Sequence, residues 1–153
     1  MIFETEHLMI RRATPAMRDV EFFMRLWNDQ QIVGLQEPDY ILDKLNGNMS
    51  GRVWNKKLIV ILKEENVAIG ECMMGEIGDE GTSDFDLKLL PEYRDKGYAI
   101  EVMPEIINFL FSHSDSVAVV GMSNSSKTED VPGMSERISR NDWEKNNRNR
   151  NDQ

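Results

Sequence analysis

Phe85-Asp86-Leu87-Lys88-Leu89-Leu90 runs into Pro91-Glu92-Tyr93 and then into Arg94-Asp95-Lys96-Gly97-Tyr98-Ala99. The first six residues read as a strand and Pro91-Glu92 as a turn. An apolar helical run from Ile100 to Phe111 follows the glycine. A short glycine loop feeding straight into a helix leaves several backbone N–H groups unpaired and aimed outward. The helix dipole adds partial positive charge at that end, which suits phosphate. Arg94 and Lys96 add formal positive charge. The stretch therefore predicts a site for a pyrophosphate-bearing ligand.

The flanking sequence sets the fold class. Leu8 and Ile10 alternate with Met9 and Arg11 in a first strand, and Thr14-Pro15 reads as a helix start with Thr14 as N-cap. Val20, Phe23, Met24 and Trp27 then recur at helical spacing. A second helix is expected over Tyr40 to Leu45, stopping at Asn46-Gly47. Leu58 to Leu62 is a continuous apolar run, as in a strand covered on both faces. Val67 to Met74 is the next strand, with Gly70 at a bulge, and Thr82 to Leu90 the one after. Their short connections predict an antiparallel meander and exclude the alternating helix and strand of a dinucleotide-binding fold. The helix after the glycine is expected to bury Ile100, Met103, Ile107, Leu110 and Phe111, with Pro104 inside it. Val117 to Val120 is a short strand, parallel to the last meander strand by one crossover.

Arg94, Gly97 and Ala99 stand where the Arg/Gln-x-x-Gly-x-Gly/Ala signature would place them, and this loop resembles that of the GNAT acetyltransferase superfamily. The order strand, Leu-Leu-Pro-Glu-Tyr-Arg, glycine turn, Tyr-Ala-Ile-Glu and amphipathic helix extends the likeness over about half the chain. The opening Glu4-Thr5-Glu6-His7-Leu8-Met9-Ile10-Arg11-Arg12 is similar to the first strand of the branch that acetylates protein N-termini, including ribosomal proteins. The ending Arg137-Ile138-Ser139-Arg140-Asn141-Asp142-Trp143 is similar to a last GNAT strand. The resemblance implies an α/β (α+β type) fold, a mixed, mostly antiparallel sheet flanked by helices. It spans residues 1–143 as one domain, and 144–153 is expected as a polar tail.

The resemblance also implies an acetyl-CoA-dependent N-acetyltransferase that uses acetyl-CoA as cosubstrate, with a small-molecule or peptide amine as acceptor. The phosphate role falls on Arg94, Asp95, Lys96, Gly97, Tyr98 and Ala99. The backbone of Leu87 and Leu89 would meet the pantetheine arm and the thioester oxygen. Asn124 matches the asparagine that follows the fifth family strand, and it is carried over as a cofactor-binding and catalytic position. The sequence departs from the family in three places. Asp95 stands where glycine is common. No tyrosine occurs after Tyr98 to protonate the leaving thiolate. The interval from Asn124 to Ile138 is too short for a helix, a strand and a hairpin turn. Those departures motivate an alternative, a degenerate fold that binds CoA or another ligand, or an oligomeric interaction protein completed by a second copy in a homodimer.

Composition bounds the rest. The chain has 153 residues, a net charge of −9 and a single cysteine, Cys72. One cysteine excludes an internal disulfide framework and a cysteine-rich zinc site, and His7 and His113 stand apart, so no metal is expected. The acidic balance argues against nonspecific nucleic-acid binding. No apolar run is long enough for a bilayer and no leader is evident, so a cytoplasmic protein without membrane association is expected.

Acetyl transfer to an amine needs a neutral nucleophile, a polarised carbonyl and a path for protons. An α-amine with pKa near ~8 is roughly one-tenth neutral at pH 7, whereas a lysine-type amine near ~10.4 needs a base or desolvation. The resemblance places the base on the third or fourth strand, sometimes acting through water, and the candidates there are Glu71, Asp84 and Asp86. Glu71 follows Gly70 in mid-strand, and Asp84 and Asp86 share one strand face. Cys72 reads as a buried, inert thiol. Trp27 is read as packing, and Trp54 is left between the acceptor cleft and a loop anchor. Glu101 is read as a carboxylate that favours the helix dipole.

Overall fold

The computed structural model describes residues 1–29, 37–78, 80–121 and 137–151. Seven strands form a single sheet in sequence order: β1 (Phe3–Glu4), β2 (Leu8–Arg12), β3 (Leu58–Leu62), β4 (Val67–Met74), β5 (Thr82–Leu89), β6 (Ala118–Gly121) and β7 (Arg137–Ser139). All pairings are antiparallel except β5 with β6, which is parallel. The crossover between those two strands contains α3 (Tyr98–Ser112), as the order of strand, helix and strand requires. The expected mixed, mostly antiparallel sheet flanked by helices is therefore present.

Two apolar layers cover the sheet. On one face α3 buries Val102, Met103, Ile106, Ile107, Leu110 and Phe111 against Leu8, Ile10, Leu58, Val60, Phe85, Leu87 and Leu89. Each such side chain contributes about 1.5–3 kcal/mol when fully buried. On the other face α1 (Met17–Asp29) and α2 (Pro38–Gly47) bring Val20, Phe22, Phe23, Leu26, Trp27, Ile41 and Leu45 against Ile59 and Ile61. The unbroken apolar run Leu58–Leu62 is thus buried on both sides, all five residues of it.

Several boundaries differ from the sequence reading for identifiable reasons. Helix α1 begins at Met17, because Ala16 is the residue whose carbonyl receives Asp19 and Val20 N–H. The Asp19 carboxylate reaches back to accept from Thr14 N–H at 2.8 Å and Thr14 Oγ1 at 3.0 Å. Helix α3 starts two residues before Ile100, at Tyr98; Ile100 lies in its first turn at 46% exposure, and Val102 and Ile106 join the buried face. The bulge lies beside Gly70, where the β3–β4 register shifts between Val60 and Ile61. Strand β6 starts one residue late, at Ala118.

The last strand stops at Ser139, and Arg140–Asn151 is helix α4, which takes in Trp143 and most of the expected tail. Arg140 explains the change of direction. Its guanidinium donates to the carbonyls of Ser116, Phe111 and Ser114 at 2.8, 3.1 and 2.8 Å. Trp143 stacks on Phe111 and donates to Asn108 Oδ1 at 2.6 Å. These contacts tie α4 to α3.

Candidate functional site

The parallel pairing of β5 with β6 runs from Thr82↔Ala118 to Phe85↔Gly121. Strand β5 then continues to Leu89, and among the described residues no strand pairs with that edge beyond Phe85. On its other edge, β5 stays paired with β4 up to Leu89↔Gly70. Gly75 N–H donates to Asp84 O and Leu90 N–H to Ile69 O, both at 2.8 Å, so even-numbered residues turn their backbone groups toward β4. Strand alternation then turns the backbone of Leu87 and Leu89 toward the open edge. Their side chains are buried under α3, so these two residues serve the edge through the main chain alone.

The open edge leads directly to the glycine loop. A 3-10 turn, Pro91–Tyr93, and the residues Arg94 to Gly97 carry the chain into α3. Asp95 has φ +59° and Gly97 φ +87°, while Lys96 between them keeps a negative φ. Alternation of left- and right-handed conformers points successive N–H groups into one concavity, an anion-binding arrangement. Gly97 is the N-cap of α3, and no side chain caps that end. A Cβ built on Gly97 would meet nothing within 4 Å, so the space beside the loop is open. Tyr98 and Ala99 form the first turn of the helix and pack partly against the core. The left-handed backbone at Asp95 gives a physical reason why glycine suits that position. Aspartate is among the side chains that tolerate it.

Arg94 donates from Nε to the Leu89 carbonyl at 3.0 Å, bracing the end of β5, and its guanidinium lies 4.0 Å from Asp29 of α1. Lys96 Nζ lies over the Tyr93 ring at 5.9 Å. Both cations therefore border the loop. Glu101, one turn into α3, accepts from Thr5 Oγ1, from His7 N–H at 2.9 Å and from His7 Nδ1 at 2.6 Å. Burial acts to raise the Glu101 carboxyl, but the hydrogen bonds from Thr5 and His7 outweigh it and leave the pKa below its ordinary value. The hydrogen bond to Glu101 and its charge in turn raise His7.

The candidate bases occupy the opposite face of the sheet. Glu71 pairs across β4 with Ile59 and Lys88 and is only 6% exposed. Its Oε1 accepts from the Trp27 indole at 3.0 Å, and its Oε2 lies 3.6 Å from Lys57 Nζ. Asp86 shares this face and is 3.6 Å from Lys88 Nζ. Asp84 Oδ1 is packed against Gly75, where a Cβ would come within 2.0 Å of it. Asn124 and its neighbouring serines lie outside the described residues.

Trp54 packs on Phe109 on the α3 face and also lines a cavity with Arg52, Glu76 and His113, so it has both a packing contact and an open side. Burial, with the charges of Glu71 and Asp86 adding to it, pushes the Cys72 thiol up, consistent with an inert group. The sequence offered no sign that Trp27 and Lys57 would meet Glu71, since 44 positions separate Trp27 from Glu71. No group of three or more His, Cys, Asp or Glu able to hold a metal occurs among the described residues. Likewise no helix among them is long and apolar enough to cross a membrane.

The same architecture recurs in solved structures. A GNAT-family acetyltransferase from Bacillus anthracis matches with a TM-score of 0.63 at 22% identity, covering 77% of this chain and 70% of its own. Spermidine N-acetyltransferase from Vibrio cholerae, solved with CoA and spermine, matches at 0.61 and 17% identity over 75% and 70%. A provisionally named ribosomal-protein-serine acetyltransferase from Vibrio cholerae matches at 0.63 and 14% over 77% and 71%. At these identities the likeness speaks for the fold. No curated protein shows significant sequence similarity to the chain. The family model for the acetyltransferase (GNAT) domain matches residues 7–145, almost the whole length. With an open β5 edge running into an uncapped, left-handed glycine loop, the chain belongs to the GNAT acetyltransferase family.

Proposed function

We propose that the chain transfers the acetyl group of acetyl-CoA to a primary amine by direct attack, with no covalent intermediate on the protein. The observation that carries this reading is the continuity of two features. The β5 edge at Leu87 and Leu89, which no strand pairs among the described residues and whose Leu89 carbonyl is held by Arg94, ends in the loop where Asp95 and Gly97 are left-handed and α3 lacks a side-chain cap. Backbone donors from Lys96 to Ala99, with Arg94 and Lys96 beside them, suit a diphosphate. Acetyl-CoA would supply the activated thioester. Leu87 and Leu89 would offer main-chain groups to the extended arm and to the carbonyl oxygen, where fixed N–H donors act most strongly.

Glu71 is the residue proposed to receive the proton of the amine, directly or through water, with Asp86 flanking it on the same face. Asn124 is proposed on the departing side, by resemblance alone. A small alkylamine and a peptide N-terminus both remain within the chemistry. The solved spermidine and ribosomal-protein-serine enzymes illustrate the two classes in this fold. A cytoplasmic setting is proposed on the same footing.

One observation favours a second reading, a CoA-binding protein without turnover. Asp95 sets a carboxylate at the anion loop, and no tyrosine follows Tyr98. Calorimetric titration with acetyl-CoA followed by thiol release across an amine panel separates the readings. Binding with turnover supports transfer, binding without turnover supports the second reading, and no binding overturns both.

A further inference from the structure

Lys57 is held in an unusual way. Its N–H donates to Asn48 Oδ1 at 2.7 Å, and its carbonyl accepts from Asn48 Nδ2 at 2.9 Å and from Ala13 N–H at 3.0 Å. Asn48 is itself buried. The backbone of Lys57 is therefore fixed at the entrance to β3 independently of its side chain. That side chain extends to the α1 face, where Nζ lies 5.1 Å over the Trp27 ring and 3.6 Å from Glu71 Oε2. The Lys57 side chain is 25% exposed, whereas Glu71 is nearly sealed.

An indole face and a buried carboxylate converging on one ammonium make a site for a primary alkylammonium. The ring attracts the cation, and the carboxylate accepts its N–H. The occupant in this structure is tethered on a flexible four-carbon stem. Withdrawal of that stem would break none of the backbone hydrogen bonds that Lys57 makes with Asn48 and Ala13. It would leave the indole face and Glu71 Oε2 exposed to a second ammonium of the same kind. The neighbouring charges on this face, Lys88 and Asp86, already neutralise one another at 3.6 Å, so they offer no alternative counterion pair for Glu71.

We propose that the Trp27–Glu71 pair is the acceptor subsite for a primary alkylammonium group, and that Lys57 is its built-in competitor, displaced when the amine binds. The assignment of that amine as acceptor rests on the acetyl-transfer reading, while the displacement itself does not. A site closed about nine-tenths of the time by an internal group lowers apparent affinity about tenfold.

Two measurements without acetyl-CoA test this. In the intact protein, the Lys57 ε-methylene NMR signal should be shifted upfield by the Trp27 ring. Titration with n-butylammonium chloride should return it to the position of an exposed lysine, and n-butanol should leave it unmoved. Calorimetry on Lys57→Met should show n-butylammonium binding about tenfold tighter than in the unaltered chain. A signal that stays upfield at saturating amine would overturn the proposal, as would an equal response to the alcohol. So would a folded Lys57→Met protein with unchanged or weaker amine affinity, since Lys57 would then be only a counterion. If that variant does not fold, the NMR titration on the unaltered protein decides. Displacement by the amine without thiol release in the acetyl-CoA assay would preserve this subsite while removing the catalytic reading.

Discussion

Two left-handed backbone conformations, with one residue between them, decide how well the loop can hold a diphosphate. Gly97 has φ +87° with open space where a Cβ would stand, so a substitution there acts through the backbone alone. A left-handed alanine costs about 1–2 kcal/mol, and each 1.4 kcal/mol is tenfold in affinity. Gly97→Ala is expected to relax the free loop out of its left-handed conformation, so that restoring it on binding weakens acetyl-CoA affinity by about tenfold. Unaltered affinity by calorimetry would contradict the loop assignment. Asp95 works in the other direction. It combines φ +59° with a negative charge at an anion site. Asp95→Gly keeps that φ without strain and removes the charge, so acetyl-CoA should bind severalfold more tightly. Stability should barely move, because the relief of strain is offset by a freer unfolded chain. Weaker binding in that variant would show that Asp95 contributes a contact rather than a repulsion.

At the scale of elements, the open edge of β5 depends on how β4 presses against it. A Cβ on Gly70 would lie 2.6 Å from Leu89 Cδ2 and 2.5 Å from the Lys88 carbonyl, a backbone atom that cannot yield without moving β5. Gly70→Ala should therefore cost about 1–3 kcal/mol of stability. It should also impair acetyl-CoA binding, because Leu89 ends the proposed edge. Denaturant titration alongside calorimetry checks both effects.

The β1–β2 hairpin is docked on α3 by His7 and Glu101, and this contact carries a pH signature. His7 is raised above its ordinary 6.5, so its contribution is full below that value and is lost as pH climbs through the raised value. Glu101 is depressed from its ordinary 4.5, so its contribution is present above 4.5 and is lost as pH falls through the lowered value. The stability difference between the unaltered chain and His7→Gln should be greatest between about pH 4.5 and 6.5 and shrink on either side. Parallel thermal melts across pH measure it, and a pH-independent difference would contradict the pairing.

For the molecule as a whole, the local patterns in the sequence were sufficient for β2 to β6 and the glycine loop, whereas the two-residue β1, Phe3–Glu4, was not read from them. Leu58–Leu62, Val67–Met74 and Thr82–Leu89 follow apolar patterning that burial enforces, and Gly97 announces the loop because few other residues accept its φ. Ile100 was misread because it lies in the exposed first turn of α3, while the other four residues expected on that face, Met103, Ile107, Leu110 and Phe111, are buried. Trp143 was misread because the turn into α4 is fixed by Arg140, whose partners Phe111, Ser114 and Ser116 lie far back in the chain. The site divides in the same way. Arg94 to Ala99 were legible as a contiguous motif, whereas the Trp27–Glu71–Lys57 contact joins three separated elements and has no local signal.

The net charge of −9 sharpens the central question, because a long-range field of that sign repels a diphosphate and leaves the loop to overcome it. The most direct test is amide NMR of the ¹⁵N-labelled chain titrated with acetyl-CoA. The N–H signals of Lys96, Gly97, Tyr98 and Ala99 should move downfield together with those of Leu87 and Leu89, all saturating at one ligand concentration. Saturable binding that leaves the 96–99 amides in place, or no binding at all, would contradict a diphosphate gripped at the start of α3.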